Sequence, residues 1–88
     1  CLLSPFYKRD AVTISVHQYN AQSHEPLFNA VEPVFHRYGG RPHWGKLHTC
    51  KAAELAKLYP QWDAFQAVRR RLDPKDKFMT PYLRTLLG

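Results

Sequence analysis

The feature that most limits this chain is a stretch patterned as a β-strand with no obvious partner. Over residues 11–19 the side chains alternate, Val12, Ile14 and Val16 falling on one side and Thr13, Ser15, His17 and Tyr19 on the other, which is the period-two signature of a half-buried strand. No other segment shows the alternation as clearly. A single strand leaves a row of backbone N–H and C=O groups unpaired, so this one is expected to join a sheet whose other members lie mostly outside these residues. Its apolar side needs a cover, while its hydroxyl and imidazole side is free to meet water or a ligand.

The expected cover comes next in the chain. Leu27, Ala30, Val31, Val34, Phe35 and Tyr38 recur at helical spacing and draw an apolar stripe down one side of a helix. Ser23 is a candidate N-cap, Pro26 is tolerable in the first turn, and Gly39-Gly40 stops the helix. Pro33 removes a backbone donor inside it, at a cost of about 3 kcal/mol or a kink, so a bend is expected near Asn29. Helical patterns resume over residues 52–58, closed by Tyr59-Pro60, and over 62–72, where Trp62, Phe65, Val68 and Leu72 share a face that ends at Asp73-Pro74. A last short helix over 81–87 is apolar enough to dock on a neighbour. The fold class expected is therefore α+β: one or two strands of an antiparallel sheet, packed helices, and a mostly helical C-terminal part.

A length of 88 residues holds one domain at most and leaves little room to enclose a large cofactor. The two cysteines, Cys1 and Cys50, form no CxxC pair, so neither a disulfide scaffold nor a zinc finger is indicated; a single bridge between them is conceivable and not demanded. The chain begins at Cys1 and its one methionine is Met79, as expected of a piece of a longer polypeptide. No apolar run approaches the roughly 18 residues of a membrane span. The formal charge of +6 allows an anionic partner, and Arg69-Arg70-Arg71 with Lys75 and Lys77 is the densest basic cluster. The same run suits the solvated C-terminal end of a helix, where cations oppose the helix dipole. A small basic nucleic-acid- or protein-binding module is the alternative reading on these grounds. His36, His43, His48 and Cys50 are ligand types, but their spacing fits no zinc-finger or i, i+4 pattern, and no metal is expected.

From Gly39 the chain reads Gly-Gly-Arg-Pro-His-Trp-Gly-Lys-Leu-His. This string is similar to the His-Trp-x-Lys signature near the C-terminus of the aldonolactone oxidases, a family of gulonolactone and arabinonolactone oxidases with more distant alditol oxidase relatives, in the vanillyl-alcohol-oxidase class of flavoproteins. The likeness extends upstream through Leu3-Ser4-Pro5, Arg9-Asp10 and Val-Thr-Ile-Ser-Val-His-Gln-Tyr. Downstream it runs through Tyr59-Pro60-Gln61-Trp62, Arg71-Leu72-Asp73-Pro74, Phe78 and Pro81-Tyr82 to Leu86-Leu87-Gly88, with residues 21–38 the least distinctive.

The resemblance implies oxidation of an alcohol carbon on a sugar lactone or polyol by hydride transfer to flavin N5, with oxygen or another acceptor taking the electrons. It implies FAD, held mainly by a domain upstream of Cys1 that also precedes an acidic-arginine substrate pair. Residues 1–50 would be part of a substrate domain, and 51–88 a helical segment returning toward the FAD domain. Lys46 would stand near flavin and substrate as a fixed cation, and His43 would orient it or the substrate, both counting as catalytic and cofactor-contacting. His17 would join Lys46 in contacting substrate. The partners implied are the substrate, the electron acceptor and the rest of the flavoprotein, with no nucleic acid, at a cytoplasmic or peripherally membrane-associated location. The chain alone is expected neither to hold FAD tightly nor to turn over. The plainer reading of His43-Trp44-Gly45-Lys46 is a packed tryptophan between a turn glycine and a surface lysine, and that of His17 is a satisfied histidine.

Overall fold

In the computed structural model, which describes residues 1–88, the chain forms four helices: α1 (Glu25–Arg37), α2 (Ala52–Leu58), α3 (Trp62–Leu72) and α4 (Pro81–Leu87). Local chemistry accounts for their ends. In α1, Pro26 lies in the first turn with Glu25, and His36 and Arg37 lie in the last, an order of charge that favours the helix dipole. The helix then closes in a Schellman motif. The Gly39 amide donates to the His36 carbonyl at 3.0 Å and the Gly40 amide to the Phe35 carbonyl at 2.7 Å. Gly39 carries the left-handed φ of +65°, and a Cβ at Gly40 would stand 2.9 Å from the Phe35 carbonyl oxygen. Pro33 is accommodated inside the helix, which runs without interruption from Glu25 to Arg37.

The later helices follow the sequence reading closely. Glu54 reaches back to accept the Lys51 amide at 2.9 Å, and the Thr80 hydroxyl caps α4 by accepting the Leu83 amide at 3.1 Å. Beyond α3, the Asp73 carboxylate accepts the amides of Lys77 and Phe78 at 2.8 and 2.9 Å, which ties the reversal that returns the chain to α4.

The core lies where α2 meets α4. Cys50, Leu55, Tyr59, Trp62, Leu86 and Leu87 are buried together, each large side chain contributing about 1.5–3 kcal/mol of transfer free energy. Gln66 is the one buried polar side chain, and its amide donates to the Leu87 carbonyl at 2.5 Å. It satisfies a carbonyl in the last turn of α4, one of the groups a helix end leaves unpaired.

Two expectations are corrected here. The α+β class is not what forms: residues 11–19 carry no strand and the chain has no sheet. Alternation supplies two faces, but a strand also needs a neighbouring edge to take its hydrogen bonds, and no segment of this chain pairs with it. Val12 and Ile14 are accordingly 84% and 66% exposed. The mutual cover expected between this stretch and α1 is at most partial, since α1 buries no residue and Leu27, Val31 and Phe35 stay half-buried. On α3 the buried face turns toward Trp62 and Gln66, leaving Leu72 71% exposed.

Candidate active site

Residues 41–48 cross from the end of α1 to the core, and Arg41 fastens their start. Its guanidinium donates to the carbonyls of Leu58 at 2.8 Å, Ser4 at 3.0 Å and Pro5 at 3.1 Å, and it lies 5.1 Å from the centre of the Tyr59 ring. One planar fork thus joins the N-terminal segment, the end of α2 and the core aromatic. Burial and the nearby charge of Arg9 pull the Arg41 pKa down from its ordinary value, yet a guanidinium keeps its charge at any physiological pH. The sequence reading passed over Arg41, whose only signal was a basic residue inside the signature string.

The signature itself forms a tight turn. The Lys46 amide donates to the His43 carbonyl at 3.0 Å, and the Gly45 amide donates to His43 Nδ1, also at 3.0 Å. The second bond requires Nδ1 to be the unprotonated ring nitrogen. Glycine suits the position because a Cβ there would press on the imidazole at 3.1 Å from Cε1. Trp44 turns inward, its ring 6.1 Å from Tyr59 in an edge-to-face arrangement.

Trp44, Gly45, Lys46, Leu47 and Tyr82 line an open depression of about 390 Å³. Tyr82, the second residue of α4, donates its hydroxyl hydrogen bond to the Trp44 carbonyl, and His48 Nε2 lies 3.3 Å from the same hydroxyl. Helix α4 therefore braces the turn from the far end of the chain. Burial pushes the His48 imidazole below its ordinary pKa, and its Nδ1 has no hydrogen-bond partner. Neither Tyr82 nor His48 was singled out from sequence as part of this site; Pro81-Tyr82 in the resemblance was the available hint.

His43 and Lys46 are thus held at the two ends of one turn, both exposed. The Lys46 side chain enters no ion pair and donates no hydrogen bond, leaving its ammonium available at the rim of the depression. His17 is exposed on the irregular segment and does not line the depression. An open concavity with two aromatic walls and one unpaired cation suits the edge of a planar, electron-rich ring or a polyhydroxylated substrate. It is too shallow to enclose a dinucleotide, for which the chain also has no Gly-rich phosphate loop.

Elsewhere, Asp76 joins Arg69 at 2.7 Å and Arg84 at 3.1 Å. The two arginine hydrogen bonds hold its carboxyl below the usual carboxylate range. Of the arginine triplet, Arg69 is therefore committed to an ion pair within the chain, while Arg70, Arg71, Lys75 and Lys77 form none. Cys1 and Cys50 are both free, Cys50 being buried. Burial pushes the Cys50 thiol up from its ordinary pKa, and its Sγ lies 3.2 Å from His36 Nε2. No helix is long and apolar enough to cross a membrane.

Comparison with known proteins agrees with the signature. A family described as D-arabinono-1,4-lactone oxidase matches residues 1–86. The chain is 52% identical over 86 residues to an L-gulono-1,4-lactone dehydrogenase of Mycobacterium tuberculosis, covering 98% of this chain and 20% of that protein. It is 35% identical over 86 residues to the L-gulonolactone oxidase of Bos taurus, covering 93% of this chain and 20% of the relative. To an alditol oxidase of a Streptomyces species it is 38% identical over 88 residues, covering 97% of this chain and 21% of the relative. The chain thus spans about a fifth of the length of the curated relatives it matches. No solved structure matches it.

Proposed function

The chain belongs to the D-arabinono-1,4-lactone oxidase family, and on that footing we propose that it is the C-terminal part of an FAD-dependent oxidoreductase acting on a sugar 1,4-lactone or an alditol. Residues 1–50 contribute to the substrate domain and 51–88 form the helical segment that packs back toward the flavin domain. The observation that carries the reading is Lys46: an unpaired ammonium held on a braced turn, beside an aromatic-walled depression, in the family's signature string.

When bound, FAD supplies the hydride acceptor for the alcohol carbon. The residues of this chain do the electrostatic and positioning work. The Lys46 ammonium offers a positive charge to a substrate oxygen as it gains negative charge, an interaction that strengthens once the rest of the enzyme closes the depression against water. His43 shapes the turn through its contact with the Gly45 amide, leaving Nε2 to meet substrate or cofactor. Trp44 and Tyr82 supply the walls, and the hydrogen bond between them fixes the turn on α4. His17 is assigned to substrate contact on the family resemblance alone. Oxygen or another acceptor would be the final electron acceptor, and the enzyme would work in the cytoplasm or at a membrane surface.

The test is the single-turnover rate of flavin reduction by lactone in the enzyme that carries this segment with its flavin domain. Lys46→Ala is expected to slow that step by about 10²–10³-fold, the usual cost of removing one preorganised electrostatic contact. An unchanged rate would return Lys46 to the role of a surface lysine. On the 88-residue chain alone, no stoichiometric flavin binding is expected by absorbance titration.

A further inference from the structure

Away from the signature turn, one group of side chains has ligand chemistry that the oxidase reading does not use. Glu32 and His36 stand one turn apart on α1, and Cys50 lies at the edge of the core. One ligand atom from each falls within 4.8 Å of the others. His36 Nε2 is 3.2 Å from Cys50 Sγ and 3.7 Å from a Glu32 carboxylate oxygen. Around a tetrahedral zinc ion with ordinary Zn–S, Zn–N and Zn–O bond lengths, neighbouring ligand atoms stand about 3.4–3.6 Å apart. The two separations from His36 bracket that figure, whereas the Glu32 and Cys50 ligand atoms stand as much as 4.8 Å apart, so the Glu32 carboxylate has to rotate toward the thiolate to close the site. Thiolate, imidazole and carboxylate together are a borderline-soft donor set that favours zinc over magnesium or calcium.

Two further observations bear on the site. The Thr49 amide donates to Glu32 Oε1 at 2.7 Å, which orients the carboxylate as an outer-shell partner of a ligand would. Also, α1 buries no residue, whereas Cys50 belongs to the core cluster. An ion at this point would tie an otherwise loosely anchored helix to the core, immediately after the segment that carries Lys46.

We propose that Glu32, His36 and Cys50 form a zinc site that clips α1 onto the core, with water completing the coordination on the exposed side of His36. Binding replaces the Cys50 thiol proton with the ion and releases that proton to solvent, with no change of oxidation state. Sequence reading missed the site because it weighed only histidines and cysteines. Glu32, at i, i+4 from His36, supplies the ligand that makes the pair.

The test is a cobalt and zinc titration of the full 88-residue chain under reducing conditions. It is run in a Cys1→Ser background, because a terminal amine with its own thiol is a chelator in itself. The expected result is a thiolate-to-cobalt charge-transfer band at one equivalent, bleached by zinc, with zinc raising the thermal midpoint. Cys50→Ser should abolish the band. Cys50 is buried and its variant can misfold, so Glu32→Gln and His36→Gln, both outside the core, carry the decision: each should weaken cobalt affinity at least about tenfold with helicity unchanged by circular dichroism. Absence of the band, or affinity unaltered in both of these variants, overturns the proposal.

Discussion

The two parts of this chain on either side of Cys50 are built differently. Every buried residue lies from Cys50 onward, and residues 1–49 contain none. The C-terminal part is held by apolar packing of Leu55, Tyr59, Trp62, Leu86 and Leu87. The N-terminal part, which carries the signature turn, is held mainly by polar ties: Arg41 to the carbonyls of Ser4, Pro5 and Leu58, Arg9 to Gly39, and Glu32 to Thr49. The contrast separates the residues that carry stability from those to which the proposed function assigns chemistry, one part being a platform and the other an extension of it. It also yields a graded set of expectations.

The largest effect belongs to the platform. Leu55 is fully buried, and Leu55→Ala should cost about 2–5 kcal/mol by denaturant unfolding. Ile14→Ala, in the exposed segment, should stay within about 0.5 kcal/mol. Similar losses at the two sites would erase the distinction between the parts. Next comes the polar joint. Arg41→Ala removes donors from the carbonyls of Ser4, Pro5, Tyr7 and Leu58 and should cost about 1–3 kcal/mol, with amide hydrogen exchange rising in residues 1–8 and 41–48 before it rises in α3. Arg41→Lys should recover little, because an ammonium cannot reproduce the planar fork.

Smaller still is the cap of α4. Thr80→Ala should cost about 1 kcal/mol, and because Tyr82 braces the turn from that helix, exchange at the Gly45 and Lys46 amides should quicken with it. The smallest effect is a pH dependence. The Asp76 carboxyl is held below its ordinary value by Arg69 and Arg84, so its stabilising contribution is complete above the unfolded-state pKa of about 3.9. That contribution is lost as pH falls through the lower folded-state value. Asp76→Asn should flatten this acid-side fall in the thermal midpoint while leaving activity near neutrality unchanged.

The parts also differ in how far they were legible from sequence. The bounds of helices α2, α3 and α4 match the apolar periodicity and the Tyr59-Pro60, Asp73-Pro74 and Pro81 signals residue for residue, because those cues are local; the cover of the α3 face is partial, with Leu72 left exposed. The glycine stop of α1 was equally local. The segment over 11–19 was misjudged because alternation reports which side chains could share a face, while a strand exists only when another edge takes its hydrogen bonds. Of the site, the signature turn was legible as a string, whereas its braces were not: Arg41, His48 and Tyr82 meet it only through contacts across more than thirty residues or from another element, which no periodicity records. Glu32 stands at i, i+4 from His36, but Thr49 and Cys50 meet it from beyond the signature, a juxtaposition that spacing along the chain does not record.

The central claim, that Lys46 serves chemistry on a platform whose stability resides elsewhere, is tested most directly by measuring kcat/KM and Tm together for Lys46→Ala and Leu55→Ala in the enzyme that carries this segment. The account predicts that Lys46→Ala loses about 10²-fold or more in kcat/KM with its Tm essentially unmoved. Leu55→Ala should lower Tm while the folded fraction keeps near-normal turnover. If Lys46→Ala instead lost activity only in proportion to lost stability, the lysine would be a structural residue and the account would be contradicted.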